Sequence, residues 1–213
     1  MQFDLDQVDA LLTTTRAVRR RLDLNRPVPD DVLYDCLRLA IQAPTGSNTQ
    51  NWRWLVIRDE AKRAALADLY RRAGQGYLTD RVASLGPGTE LHKVLDSSLF
   101  LVEHLHEVPV MVVPCILGEV DRGGWNAAAL FGSIMPAMWS FQLALRSRGL
   151  GTCLTTLHLT FEAEARELLE IPERVTQAGL LPVAYTVGTD FRPAVRRPIE
   201  EITYHDTWKT TKR

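Results

Sequence analysis

Arg16, Arg19, Arg20, Arg21 and Arg26 crowd one short stretch of the chain. Arg16 and Arg20 are four apart, so a helix through them would carry both guanidinium forks on one face. Two such forks suit a phosphate or a carboxylate, and a solvated helix face is the plainer use of the same charges. The second feature is Ala43-Pro44-Thr45-Gly46-Ser47-Asn48-Thr49-Gln50-Asn51-Trp52. Turn residues of this kind offer free backbone N–H groups beside short hydroxyl and amide side chains. The loop could hold a polar planar ligand, or simply stop a helix. His104-x-His106 stands in a helical context with no HExxH and no carboxylate at ligand spacing, so no metal site is expected. There is no GxSxG and no support for a Cys/His nucleophile pair. Cys36, Cys115 and Cys153 lie far apart with no CxxC, as suits a reducing, cytoplasmic protein, and Cys36 and Cys153 read as core or pocket-lining residues. Gly149-Leu150-Gly151-Thr152 is a GxG without the third glycine or the preceding strand of a dinucleotide fingerprint.

These residues need elements to position them. Asp6 to about Leu22 reads as a short helix followed by the basic segment. Pro27 to Asp31 opens a second helix, with Val32, Leu33, Cys36, Leu37, Leu39 and Ala40 recurring at helical spacing. It must stop near Ala43, because Pro44 disfavours a helical residue before it. Trp52–Ile57 reads as a strand and Glu60–Arg72 as a third helix. Gly74 to Gly88, polar and glycine-containing, reads as a connection or a lid bordering a substrate. Leu91–Leu105 is expected to be helical. Pro109–Leu117 is a continuous apolar run of strand length, buried on both faces. An apolar helix over about Asn126–Arg148 ends at Gly149, a glycine cap. Thr152–Leu159 fits strand or loop, Phe161–Leu169 a helix and Leu180–Gly188 a strand. No repeat or linker is visible, so residues 1–213 read as one domain of helices around a small sheet.

Composition narrows the function classes. The chain has 213 residues, 46% apolar and 24% charged, an ordinary globular balance. A net charge of -1 provides no field for nucleic acid or an acidic membrane surface. Gly123 to Leu145 is 23 positions without a charge, enough to span a bilayer. Asn126, Ser133, Ser140 and Gln142 interrupt it and Pro136 sits inside it, so it reads as a helix buried on nearly all sides of a non-membrane protein.

Four separated segments together resemble the FMN-dependent nitroreductase family. Arg16-Ala17-Val18-Arg19-Arg20-Arg21-Leu22-Asp23 is similar to the family's N-terminal signature. Ala43 to Trp52 is similar to its small-Pro-Ser/Thr loop that ends in Gln, any residue, Trp. The apolar helix ending in Arg148-Gly149-Leu150-Gly151-Thr152 resembles its central helix and following turn, and Arg196-Arg197-Pro198 before an acidic pair resembles its C-terminal basic motif. Val18 stands where the family usually has Ser, Leu157 where many members have Gly, Thr156 where some have Glu, and Leu22 replaces an aromatic.

The resemblance implies an α+β fold, a central mixed sheet flanked by helices in three layers, in an intertwined homodimer with FMN at the subunit interface. It implies Arg16 at the phosphate or ribityl chain and Arg20 near the pyrimidine edge. Val18 lies between them in the motif. Pro44, Thr45, Gly46, Ser47 and Asn48 would pack on the flavin from the partner chain. Thr155, Thr156 and Leu157 would run beside N5, with Arg196 and Arg197 closing on the phosphate. The activity implied is hydride transfer from NADH or NADPH, NAD(P)H being the co-substrate, through FMN to a small electron acceptor such as a nitroaromatic or quinone. It needs no catalytic acid or base from the protein. Dehalogenation, ring oxidation or flavin fragmentation on the same fold, or flavin storage without turnover, are the alternatives.

Overall fold

The computed structural model describes residues 2–120 and 125–208. In chain order the helices are α1 (Leu5–Thr14), α2 (Asp30–Ala40), α3 (Glu60–Ala83), α4 (Glu90–His104), α5 (Trp125–Ser147), α6 (Glu162–Leu168) and α7 (Ile199–Ile202). The strands are β1 (Trp52–Ile57), β2 (Val110–Leu117), β3 (Leu150–Thr152), β4 (Val175–Gln177) and β5 (Leu181–Tyr185). By its internal packing the chain divides into two compact units, residues 1–15 with 190–213, and residues 16–189.

The smaller unit holds α1 and α7. Asp4 caps α1 by accepting from the Gln7 N–H at 3.2 Å. Neither helix buries a residue. Tyr204 and Trp208 stack with ring centroids 4.7 Å apart.

The larger unit is a five-stranded sheet in the order β1-β2-β5-β3, with β4 also on β2. β2 pairs with β1 along its length, Trp52 facing Ile116 and Ile57 facing Met111. It also pairs with β5 near its start and β4 near its end, Val112 facing Leu181 and Cys115 facing Gln177. Strand-to-strand ladders are antiparallel, and the parallel pairings are the single bridges Ala17–Thr152 and Gly118–Val175. β2 is buried on both faces, which explains why it reads as an unbroken apolar run. On one face Val110 and Val112 pack with Phe141 and Leu145 of α5 and with Leu33, Cys36 and Leu37 of α2.

Several expectations change. α3 does not stop at Arg72 but continues to Ala83, so Gly74–Gly88 is helical over most of its length rather than a polar loop. Tyr70, Gly74 and Leu78 repeat every four residues and are all buried, and this stripe outweighs the roughly 1 kcal/mol that a mid-helix glycine costs. Arg16 to Arg20 is not helical; it makes a bridge at Ala17 and then bends into a turn at Arg19–Leu22. Leu39 is exposed rather than core. β4, only three residues of mixed polarity, has no counterpart in the sequence reading. Thr152–Leu159 divides into the end of β3 and a 3-10 turn over Leu157–Phe161. α5 is long and apolar enough to cross a bilayer, yet Ser133, Ile134, Ala137, Met138, Phe141, Ala144 and Leu145 are buried, as in a core helix. It is not buried on nearly all sides: Trp125 and Trp139 are 85% and 44% exposed. Gly123 and Gly124, part of the uncharged stretch, lie outside the described residues.

Candidate functional site

β3 is the point where distant residues meet. Ala17 bridges Thr152 in parallel, and the Val18 N–H donates to the Thr152 carbonyl at 2.9 Å. The arginine segment is thereby laid alongside β3. The approach is close because residue 151 is glycine: a Cβ there would lie 2.9 Å from the Val18 Cβ and 2.7 Å from the Thr186 Cγ2. Val18, at 4% exposure, is spent on this packing, so its side chain is a spacer and not a ligand contact.

Beyond β3 the chain turns through Thr155, whose N–H and carbonyl are both bonded to Leu180 at 3.0 and 2.8 Å. Tyr70 of α3 is buried, which raises the pKa of its hydroxyl, and the neighbouring Thr155 side chain opposes that rise. The Thr155 amide is therefore committed to the fold. The Thr156 N–H has no backbone partner among the described residues, and Thr156 is exposed. The 3-10 turn then buries His158 completely. Neither of its ring nitrogens has a partner among the described residues, and burial pushes its pKa down to about 4.

The arginines separate into distinct roles. Arg21 Nε donates to the Val187 carbonyl at 2.8 Å, and Arg26 lies 3.4 Å over the Tyr185 ring, so both tie the segment to β5 and the residues after it. Arg19 donates to Ser97 Oγ at 3.4 Å, and its charge opposes the rise that burial gives the Cys153 thiol pKa. Arg20 pairs with Asp96 at 2.8 Å. Arg16, half-buried, has no side-chain hydrogen bond or ion pair among the described residues.

The Pro44–Asn48 loop is anchored elsewhere, on α5. Gly46 N–H donates to Ser133 Oγ at 3.1 Å, and Trp52 Nε1 donates to the Ser133 carbonyl at 3.0 Å. Ser47, Asn48 and Gln50 all have φ near +52°, in the left-handed region, and Thr45 Oγ1 accepts from the Gln50 N–H at 3.2 Å. Three such residues store local strain of the kind found at ligand clamps. Pro44, Gly46, Ser47 and Asn48 are exposed and Thr45 half-buried. Arg196 and Arg197 belong to the smaller unit, exposed and ahead of α7. The structure thus joins the Arg16–Arg20 segment to β3 through the Ala17 bridge and the Val18 amide, turns Arg20 toward Asp96 of α4, and holds the Pro44–Asn48 loop by separate contacts.

Ser133, Tyr70 and Asp96 escaped the sequence reading as site residues. Ser133 left a trace there, as a polar interruption of an apolar helix. The other two left none. Burial pushes the Cys36, Cys115 and Cys153 thiols up to about 11, 12 and 11, so none is a thiolate nucleophile near neutral pH.

The Nitroreductase family model matches residues 12–185, and the chain belongs to that family of oxidoreductases. An NADH dehydrogenase of Thermus thermophilus is 28% identical over 93% of this chain and 95% of its own length. An iodotyrosine deiodinase of Thermotoga neapolitana is 27% identical over 82% of this chain and 86% of its own. Among solved structures, an oxidised iodotyrosine deiodinase bound to FMN and 3-iodo-L-tyrosine matches with a TM-score of 0.69 at 24% identity, covering 93% of this chain and 98% of that one. The FMN-dependent nitroreductase NfnB of Mycobacterium smegmatis, in complex with NADPH, matches at 0.68 and 20% identity, covering 96% and 100%.

Proposed function

We propose that this chain is a cytoplasmic, FMN-dependent oxidoreductase that passes hydride from NAD(P)H to an electron-poor acceptor such as a nitroaromatic or quinone. Residues 1–213 would act as one FMN domain in a homodimer, with FMN at each subunit interface. The observation that carries the reading is Arg16, a half-buried guanidinium without a described partner, on a segment bridged to the strand that leads to the open Thr156 amide. Family membership and the named relatives support it.

The residues present fit the cofactor. A phosphate would supply the anion Arg16 lacks, with bidentate geometry available to its fork. Arg196 and Arg197 would add to the phosphate, and Arg20 would face the pyrimidine edge. The Thr156 amide is a free donor for a ring nitrogen, and Leu157 supplies apolar contact beside it. Pro44 to Asn48 would come from the second copy. Bound FMN would supply the two-electron chemistry. The protein's share is to bind it, orient it and set the charge around it. The two backbone bonds of Thr155 to Leu180 hold the chain that carries the Thr156 donor. His158, neutral at physiological pH, supplies no proton.

The purified protein should be yellow, and anaerobic NADH or NADPH should bleach it. A colourless protein that rejects added FMN overturns the reading. Arg16→Ala should weaken FMN binding about thirtyfold, the equivalent of roughly 2 kcal/mol for one charge-assisted contact. An unchanged dissociation constant removes Arg16 from the site. Reductive dehalogenation is the second reading, favoured by the deiodinase relative, which this chain matches over 86% of its length. Iodide release from 3-iodotyrosine by the dithionite-reduced protein separates the two.

A further inference from the structure

α4 lays two adjacent residues on the arginine segment. Asp96 Oδ2 accepts from Arg20 Nη2 at 2.8 Å, and the Asp96 carbonyl lies 3.5 Å from the same nitrogen. Ser97 Oγ accepts from Arg19 at 3.4 Å. One turn further along the helix, the Phe100 ring centroid is 4.8 Å from the Arg20 guanidinium carbon. Asp96 and Phe100 are four apart and so share a face of α4. The Arg20 fork is therefore held by a carboxylate, a carbonyl and an aromatic ring of a single helix.

The pair is weak in one sense and strong in another. Its side chains are 49% and 42% exposed, so solvent screens it and its worth to folding is small. Its effect on local charge is not small. With Asp96 in contact, the unit positive charge of Arg20 is opposed by a unit negative charge before any ligand arrives. The fork is also turned toward α4, so an anionic edge must share it or draw it away.

We propose that Asp96 is a positioning residue, which sets how much of the Arg20 charge a bound flavin edge feels. The proposal rests on the reading of Arg20 as the cation at the FMN pyrimidine edge. That edge gains negative charge when the ring is reduced, so an unopposed cation there favours the reduced form. Asp96 holds this preference down, and removing its charge releases it.

The test is the midpoint potential of FMN bound to the full chain, measured anaerobically with reference dyes at saturating FMN. Wild type, Asp96→Asn, Arg20→Gln and the double variant form a cycle. Asp96→Asn should raise the potential by up to about 30 mV, a tenfold gain for the reduced over the oxidised form of a two-electron couple. Arg20→Gln should lower it. In the Arg20→Gln background the Asp96→Asn shift should fall below a third of its wild-type size. Asp96→Glu, which keeps the charge, should stay near wild type and guards against a simple folding defect.

An Asp96→Asn shift of equal size in both backgrounds would mean that the carboxylate acts through space and not through Arg20, and would overturn the proposal. So would no shift at all, or loss of FMN in Asp96→Asn while Asp96→Glu retains it. Failure of the wild-type protein to bind FMN is a different result, and sinks the cofactor reading itself.

Discussion

Along β3 the backbone is tied down while side-chain polarity stays open. Ala17 is bridged to Thr152 and Thr155 to Leu180, yet Arg16, the Thr152 hydroxyl and both His158 nitrogens have no partner among the described residues. On α5 the pattern is reversed. Ser133 is saturated: its hydroxyl donates to the Ala129 carbonyl at 2.8 Å and accepts from Gly46, and its carbonyl accepts from Trp52. What α5 leaves open is apolar. Trp125, Gly132 and Trp139 repeat every seven residues, share one stripe and are exposed. Buried polar groups without partners call for a polar ligand or water. An apolar stripe calls for another protein surface. On the proposed function, the first region would be completed by the cofactor and the second by the other copy of the chain.

The stripe can be broken most severely. Trp139→Glu places a charge at one end of it, where a subunit interface would have to desolvate it unpaired. Wild type is expected to run at twice the 24.0 kDa chain mass in light scattering, and Trp139→Glu at the chain mass with FMN content reduced. A wild-type monomer that holds FMN would refute the assignment of the stripe to a second copy.

The polar side can be probed without any ligand, through His158. Burial depresses its pKa to about 4, from an ordinary value near 6.5. The unfolded chain thus binds a proton that the folded chain refuses across that window. The stabilisation is full above about pH 6.5 and is lost as pH falls toward 4, at most about 3 kcal/mol in all. Urea unfolding at pH 7 and 4.5 should show a steep loss in wild type and a shallower one in His158→Leu. Equal losses would mean that His158 is not the proton acceptor.

What the sequence made legible follows from where the physics is local. β2 showed as an apolar run because both of its faces are covered. α2 and the Pro44 turn showed through helical spacing and a proline stop. The extent of α3 was hidden because Gly74 and the polar residues around it look like a loop until Leu78 is known to be buried. The helical pairing of Arg16 with Arg20 failed because Ala17 is bridged to Thr152, far along the chain, and the residues after it bend into a turn. The same limit hid Asp96, since its bond to Arg20 joins residues 76 apart and no periodicity encodes it. The candidate site was legible where a motif is contiguous, and illegible where a tertiary partner assigns each arginine its role.

The smallest expected effect tests whether the loop on α5 is held as tightly as its saturated bonding implies. Ser133→Ala removes the hydroxyl that accepts from the Gly46 N–H, and leaves the Ser133 carbonyl to Trp52 untouched. The hydroxyl is 2.8 Å from the Ala129 carbonyl inside the same helix, and that carbonyl keeps its helical bonding when the side chain goes. The loss is then one neutral hydrogen bond at a part-buried site, about 1 kcal/mol. The Gly46 amide is in an exposed residue, so water can replace the lost acceptor and the cost should lie at or below that figure. The effect should be local. Amide exchange at Gly46 and its neighbours in the Thr45–Gln50 turn should quicken about fivefold, while exchange in β2 and β5 stays at the wild-type rate. If β2 exchanged faster as well, the hydroxyl would be supporting the core rather than the loop. If nothing changed, the left-handed residues and Thr45 alone would be holding the turn.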